Sequence, residues 1–127
     1  MNRMKSMTLA LAAAGIAFTA AIAPASAACK LSVWSKTSGD SFADSIEGRD
    51  CNGKLSVRFS GTVGSTNWLA MHRTGLNKLR TTFVDAHITT KVRMKTNVSK
   101  MSVAFKHKES SGTKSKTYGT YELISMQ

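Results

Sequence analysis

The stretch from Thr66 to Val98, TNWLAMHRTGLNKLRTTFVDAHITTKVRMKTNV, constrains this chain more than any other. It divides into a short apolar run from Trp68 to Met71, a segment carrying Leu76, Leu79, Phe83 and Ala86, and an alternation through Val92, Met94 and Val98. Spacings of three, four and three residues put Leu76, Leu79, Phe83 and Ala86 on one helical stripe. The stretch therefore reads as strand, helix, strand, with a helix near 74–87 that Thr74 opens as N-cap. A rival period runs through the same residues. Thr82, Val84, Ala86, Ile88, Thr90, Val92 and Met94 alternate as a long strand would, which leaves 82–90 open between helix and strand. Phe83 breaks that alternation while the stripe from Leu76 is unbroken, and this favours the helix. Its own residues specify it poorly. Lys78 and Arg80 lie early and Asp85 late, against the macrodipole, and Thr81, Thr82 and Val84 are weak helix formers. Such a helix needs packing against a sheet or a neighbouring subunit.

The rest of the chain is strand-like. Lys30 to Lys36 alternates, with Leu31 and Val33 on one side and Ser32 and Trp34 on the other. Thr37 to Asp50 is a polar, acidic loop from which Phe42 and Ile46 dip into the core or form one helical turn. Asn52-Gly53 is a turn pair, because both residues tolerate positive φ. Leu55, Val57, Phe59 and Val63 follow at even spacing, with Gly61 as a possible bulge. After Lys91 to Val98 comes a strand in which Met101, Val103 and Phe105 oppose Ser102, Ala104 and Lys106. ESSGTKSK (109–116) is a flexible basic loop, and Tyr118 to Met126 closes the chain. The order of elements suits a mainly β fold with one helix (α+β), a small Greek-key barrel of oligosaccharide/oligonucleotide-binding type with five to six strands.

Arg3 and Lys5, an apolar run from Met7 to Ala23, Pro24 and the string Ala25-Ser26-Ala27 form the three parts of a secretory signal peptide. Residues 1–27 are expected to be removed, which leaves 28–127 as a single small domain in an exported, secreted or periplasmic protein. Only Cys29 and Cys51 are left in that oxidising setting, so they should pair. Beyond residue 27 the chain has 16 basic and 7 acidic residues, a charge of +9. Four of the acids lie in 28–53, and 54–127 hold 13 basic residues against Asp85, Glu109 and Glu122. A surface of that kind favours encounter with anionic partners. Arg93 and Lys95 share a strand face, as do Lys106 and Lys108, and such rows can track an anionic chain.

No catalytic motif is present. His72, His87 and His107 sit on three elements at no ligand spacing, Gly61 to Ser65 lacks the lysine of a phosphate loop, and the carboxylates are scattered. The chain reads as a non-enzyme without metal or cofactor. Trp34 and Trp68 are the candidates for stacking on sugar rings, and together with Ser35 and Lys36, which are chosen with Trp34 on grounds of exposure, they form the candidate glycan site.

The organising stretch, followed by KMSVAF and ending in YELISM, resembles the B subunits of secreted bacterial toxins of the cholera, Shiga and pertussis types. The resemblance covers about two thirds of the mature chain and lies in the order and texture of its elements. It implies a homopentameric ring of barrels that binds cell-surface glycans, with helices lining a central pore and a separate catalytic chain as partner. Asn77, Lys78, Thr81 and Asp85 oppose the apolar stripe and would face that pore or a subunit contact. The expectation is a receptor-binding subunit of a toxin-like complex. The alternative is a monomeric periplasmic or secreted protein that binds an anionic polymer or inhibits another protein, without stable membrane insertion.

Overall fold

A computed structural model describes residues 29–127; the expected signal peptide at 1–27 lies outside them. Ten strands make up one antiparallel sheet: β1 (Cys29–Gly39), β2 (Ser45–Cys51), β3 (Lys54–Gly61), β4 (Gly64–Ser65), β5 (Leu69–Ala70), β6 (His72–Gly75), β7 (Lys78–Asp85), β8 (Ile88–Asn97), β9 (Lys100–Glu109) and β10 (Lys114–Met126). Their order is β4-β3-β2-β1-β10-β9-β8-β7-β6, with β5 beside β3. Two runs of neighbouring hairpins, β1 to β3 and β6 to β10, are thus joined by the pairing of the first strand with the last. Reciprocal bonds between Leu31 and Gln127 (2.8 and 3.2 Å) extend that join beyond β10.

The ladder does not close, yet the sheet curls until its two ends share a core. Phe59 on β3 and Phe83 on β7 have ring centroids 5.9 Å apart, and Phe105 on β9 lies 5.3 Å from Phe59. The seam between the ends is spanned by β5, which pairs with β3 and accepts a 2.8 Å hydrogen bond from Thr81 Oγ1 at Ala70 O. The loop after β1 plugs the interior. Gly39 allows this: its φ of +107° suits glycine, and a Cβ there would collide with Tyr118 O. Asp40 Oδ1 then accepts from Tyr118 N, Ala43 is fully buried, and Phe42 meets Phe59, Phe83 and Phe105 edge to face. Each such buried ring contributes about 1.5–3 kcal/mol from its area alone.

The expected helix is absent, and with it the α+β class and the five-to-six-strand barrel: the described residues are all β. Residues 74–87 form the end of β6, a two-residue loop at Leu76-Asn77, the whole of β7 and a second loop at Ala86-His87. The reason lies in the spacing. Leu79 and Phe83 are four apart, which places them on one face in a strand as well as in a helix. The other members of the stripe are loop residues; Leu76 is 88% exposed and Ala86 takes φ +55°. The rival alternation also fails at one point, because the hairpin pairing Asp85 with Ile88 changes its phase. Thr81 and Phe83 point inward before it, and Thr90, Val92 and Met94 after it.

Asn52-Gly53 turns with both φ positive (+56° and +87°), which matches the right-handed twist of the strands it joins. Beside that turn Cys29 and Cys51 face each other across β1 and β2 and are joined by a disulfide.

Candidate functional site

Alternation in β7 to β10 sends Thr81, Val92, Met94, Val103, Phe105 and Tyr121 inward and leaves their neighbours outside. The outer positions are basic on every one of these strands: Lys78 and Arg80 on β7, Lys91, Arg93 and Lys95 on β8, Lys100, Lys106 and Lys108 on β9, Lys114 and Lys116 on β10. All ten are exposed. The carboxylate among them is Glu122, opposite Lys100. Between the cations stand Thr82, Thr89, Ser102, Thr120 and the exposed Tyr118.

Register sharpens the charge. Lys78 pairs with Lys95, Arg80 with Arg93, Lys91 with Lys106, Lys106 with Lys116, and Lys108 with Lys114. Strands lie about 4.8 Å apart and same-face neighbours about 6.8 Å apart along each strand, so the cations form a two-dimensional grid. Like charges directly opposite destabilise a sheet, by about 0.2–1 kcal/mol per pair. Ion pairs do not relieve them. Among the described residues the salt bridges are Lys36–Asp44 (3.4 Å) and Arg58–Glu47 (2.6 Å), both away from this face. Two shallow depressions open on the grid, one over Arg80, Arg93, Ser102 and Thr120, the other over Lys91, Lys106, Lys108 and Lys116. Positive potential over small hydroxyl side chains can hold an extended anion without enclosing it.

The sequence-based glycan residues do not assemble into one patch. Trp34 points inward at 8% exposure, with its Nε1 donating to Ser32 Oγ at 3.1 Å, so the exposure on which it was chosen is missing. Ser35 lies on β1, and Lys36 turns to Ser41 O (2.8 Å) and Asp44. Trp68 lies on the outside of β2 and β3, with the Arg49 and Arg58 guanidiniums 4.3 and 4.7 Å from its ring. Arg58 is held by Glu47 through both Nε and Nη2 at 2.6 Å, while Arg49 Nε is buried without a partner. The helical face that grouped Asn77, Lys78, Thr81 and Asp85 is absent with the helix: Asn77 is a turn residue at φ +61°, Lys78 joins the basic face, Thr81 is buried and Asp85 ends β7.

The inner groups with shifted proton affinity are structural. His107 is held between Thr90 Oγ1 (3.0 Å) and Thr117 Oγ1 (3.2 Å), and burial lowers its pKa. Burial raises that of Tyr121, partly offset by its hydrogen bond to Ser41, with nearby Asp44 adding to the rise. Among the described residues no three His, Cys, Asp or Glu side chains converge as metal ligands.

Basic residues two apart recur at 78/80, 91/93/95, 106/108 and 114/116, and this was the signal for a four-strand face. Reading 78–85 as helix and 109–116 as loop hid half of it. Compared with protein-family models, curated proteins and solved structures, the chain matches none.

Proposed function

We propose that this is an exported binding protein that lays an anionic polysaccharide across the outer face of β7 to β10 and does no chemistry on it. The observation that carries the reading is the grid of ten exposed cations with like charges paired across the strands, an arrangement that costs stability in the free protein and is relieved by a polyanion. The disulfide is compatible with an extracellular or periplasmic site of action.

Two features favour an acidic glycan over nucleic acid. Eight of the ten cations are lysines, point charges without the planar fork that suits phosphate. Tyr118 is the one Phe, Tyr or Trp side chain on the face, so successive bases would find no stacking platform. The pentameric toxin-like ring drew on a pore-lining helix; the proposal keeps export and an anionic glycan and does without the ring.

Heparin and alginate serve as sulfated and carboxylated probes. Affinity is expected to fall steeply with added salt, because released counterions drive the association. A Lys91→Glu/Lys106→Glu pair should weaken binding at least about tenfold by replacing attraction with repulsion at two neighbouring positions. Lys54→Glu, on β3 away from this face, should change it little. Salt-independent binding, or an equal loss from Lys54→Glu, would refute the assignment.

A further inference from the structure

We propose that one end of the interior is a second, separate site, which binds a free single-chain fatty carboxylate. The inside of the curled sheet has two halves of different chemistry. Phe42, Phe59, Phe83 and Phe105 fill one half edge to face. The other half holds a cavity of about 230 Å³, and all four methionines of the described residues, Met71, Met94, Met101 and Met126, line it together with Trp34 and Leu55. Interiors of this kind are normally closed to the density of an organic crystal, with few voids larger than a water. Here the strands leave room. Gly48 faces Ser32 across β1 and β2, and a Cβ on Gly48 would come within 2.6 Å of Ser32 Oγ, so at this one register position neither strand sends a bulky side chain into the space.

Methionine suits a ligand wall. Its thioether chain is unbranched and polarizable and re-packs around whatever enters. The volume is below the roughly 300–1,000 Å³ of sites for drug-sized ligands, which selects a slender chain over a ring system or a two-chain lipid. The mouth sets the head group. Lys30 is exposed at the rim and among the described residues enters no ion pair, while Asp50, its partner across the strands, is engaged by Gly53 N at 2.8 Å. Met126, 67% exposed, pairs with Ser32 beside it and forms part of the same rim. An acyl chain inside the methionine half with its carboxylate at Lys30 matches both parts. Thioethers also bind soft cations such as Cu(I), but a cation would have to pass Lys30 into a space far larger than an ion needs.

The test follows the methyl resonances of Met71, Met94, Met101 and Met126 among the seven methionines of the full-length protein, titrated with decanoate below its aggregation concentration. The four methyls are expected to shift on one saturable curve, and Trp34 emission, isolated by Trp68→Phe, should move to the blue on the same curve. Lys30→Glu should weaken decanoate about tenfold, through loss of a charge-assisted contact, and leave neutral decanol unchanged. The proposal is overturned if no saturable shift occurs, if only the exposed Met126 responds, or if Lys30→Glu affects decanol and decanoate alike. Silver(I) moving the same methyls at lower concentration than decanoate would also overturn it, by assigning the cavity to a soft metal.

Discussion

The Tyr121 hydroxyl donates to Ala43 O at 2.6 Å and lies 2.6 Å from Ser41 Oγ, all three groups being buried. This phenol ties the plugging loop to β10. Tyr121→Phe should cost about 1–3 kcal/mol, because it leaves the buried Ala43 O with only the longer 3.3 Å bond from Ser41 Oγ and removes the partner of the Ser41 hydroxyl, and urea unfolding at neutral pH measures it. His107 makes stability pH-dependent in a defined sense. Its folded pKa lies below 6.5, so as pH falls through that value the unfolded chain takes up a proton that the folded one refuses. Stability contributed by the neutral ring is present above 6.5 and lost until the folded pKa is passed; His107→Gln should flatten this part of the profile in unfolding measured on either side of pH 6.5. Val98 carries strain. It is β-branched, 93% exposed and held at φ +55° in the turn between β8 and β9. Val98→Gly should raise stability by about 1 kcal/mol, read as a higher melting temperature.

Between elements, the repulsion across β8, β9 and β10 couples stability to binding. Lys106 stands between Lys91 and Lys116. Lys106→Glu converts two repulsions into attractions and should stabilise the free protein by about 1 kcal/mol while weakening polyanion binding, an opposition that paired melting and binding curves on one variant would reveal. The same strands show what the sequence discloses and what it hides. The alternation of Met101, Val103 and Phe105 stands in β9 as read, Asn52-Gly53 is a turn, the two cysteines pair, and Phe42 enters the core from a loop, whereas Ile46 enters it from β2, where a loop was expected. The strand–loop–strand order of 74–87 was not legible, because Leu79 and Phe83 satisfy both periods and the loop at Leu76-Asn77 has a large apolar residue where a turn signal would be polar. The inward face of Trp34 was hidden for a related reason: Leu31 and Val33 are apolar too, and which side of β1 meets the core depends on its pairing with β2 and β10.

At the scale of the molecule, excess positive charge sets how stability responds to the medium. Self-repulsion on the basic half is screened by salt, so sodium chloride should raise the melting temperature of the free protein as the Debye length falls from about 10 Å at 0.1 M to about 3 Å at 1 M. A flat or falling response would mean that the cations are neutralised within the fold. The pairing of the first strand with the last has a different consequence, for the order in which the fold is made. Thr37 Oγ1 bonds Thr120 O across 83 positions of chain, whereas the hairpins on either side of that join close over a few residues. Local hairpins form early and distant pairings late. During synthesis β1 to β3 therefore exist for a time with one edge of β1 unpaired, and β10, made after the other nine strands, is the neighbour that edge awaits.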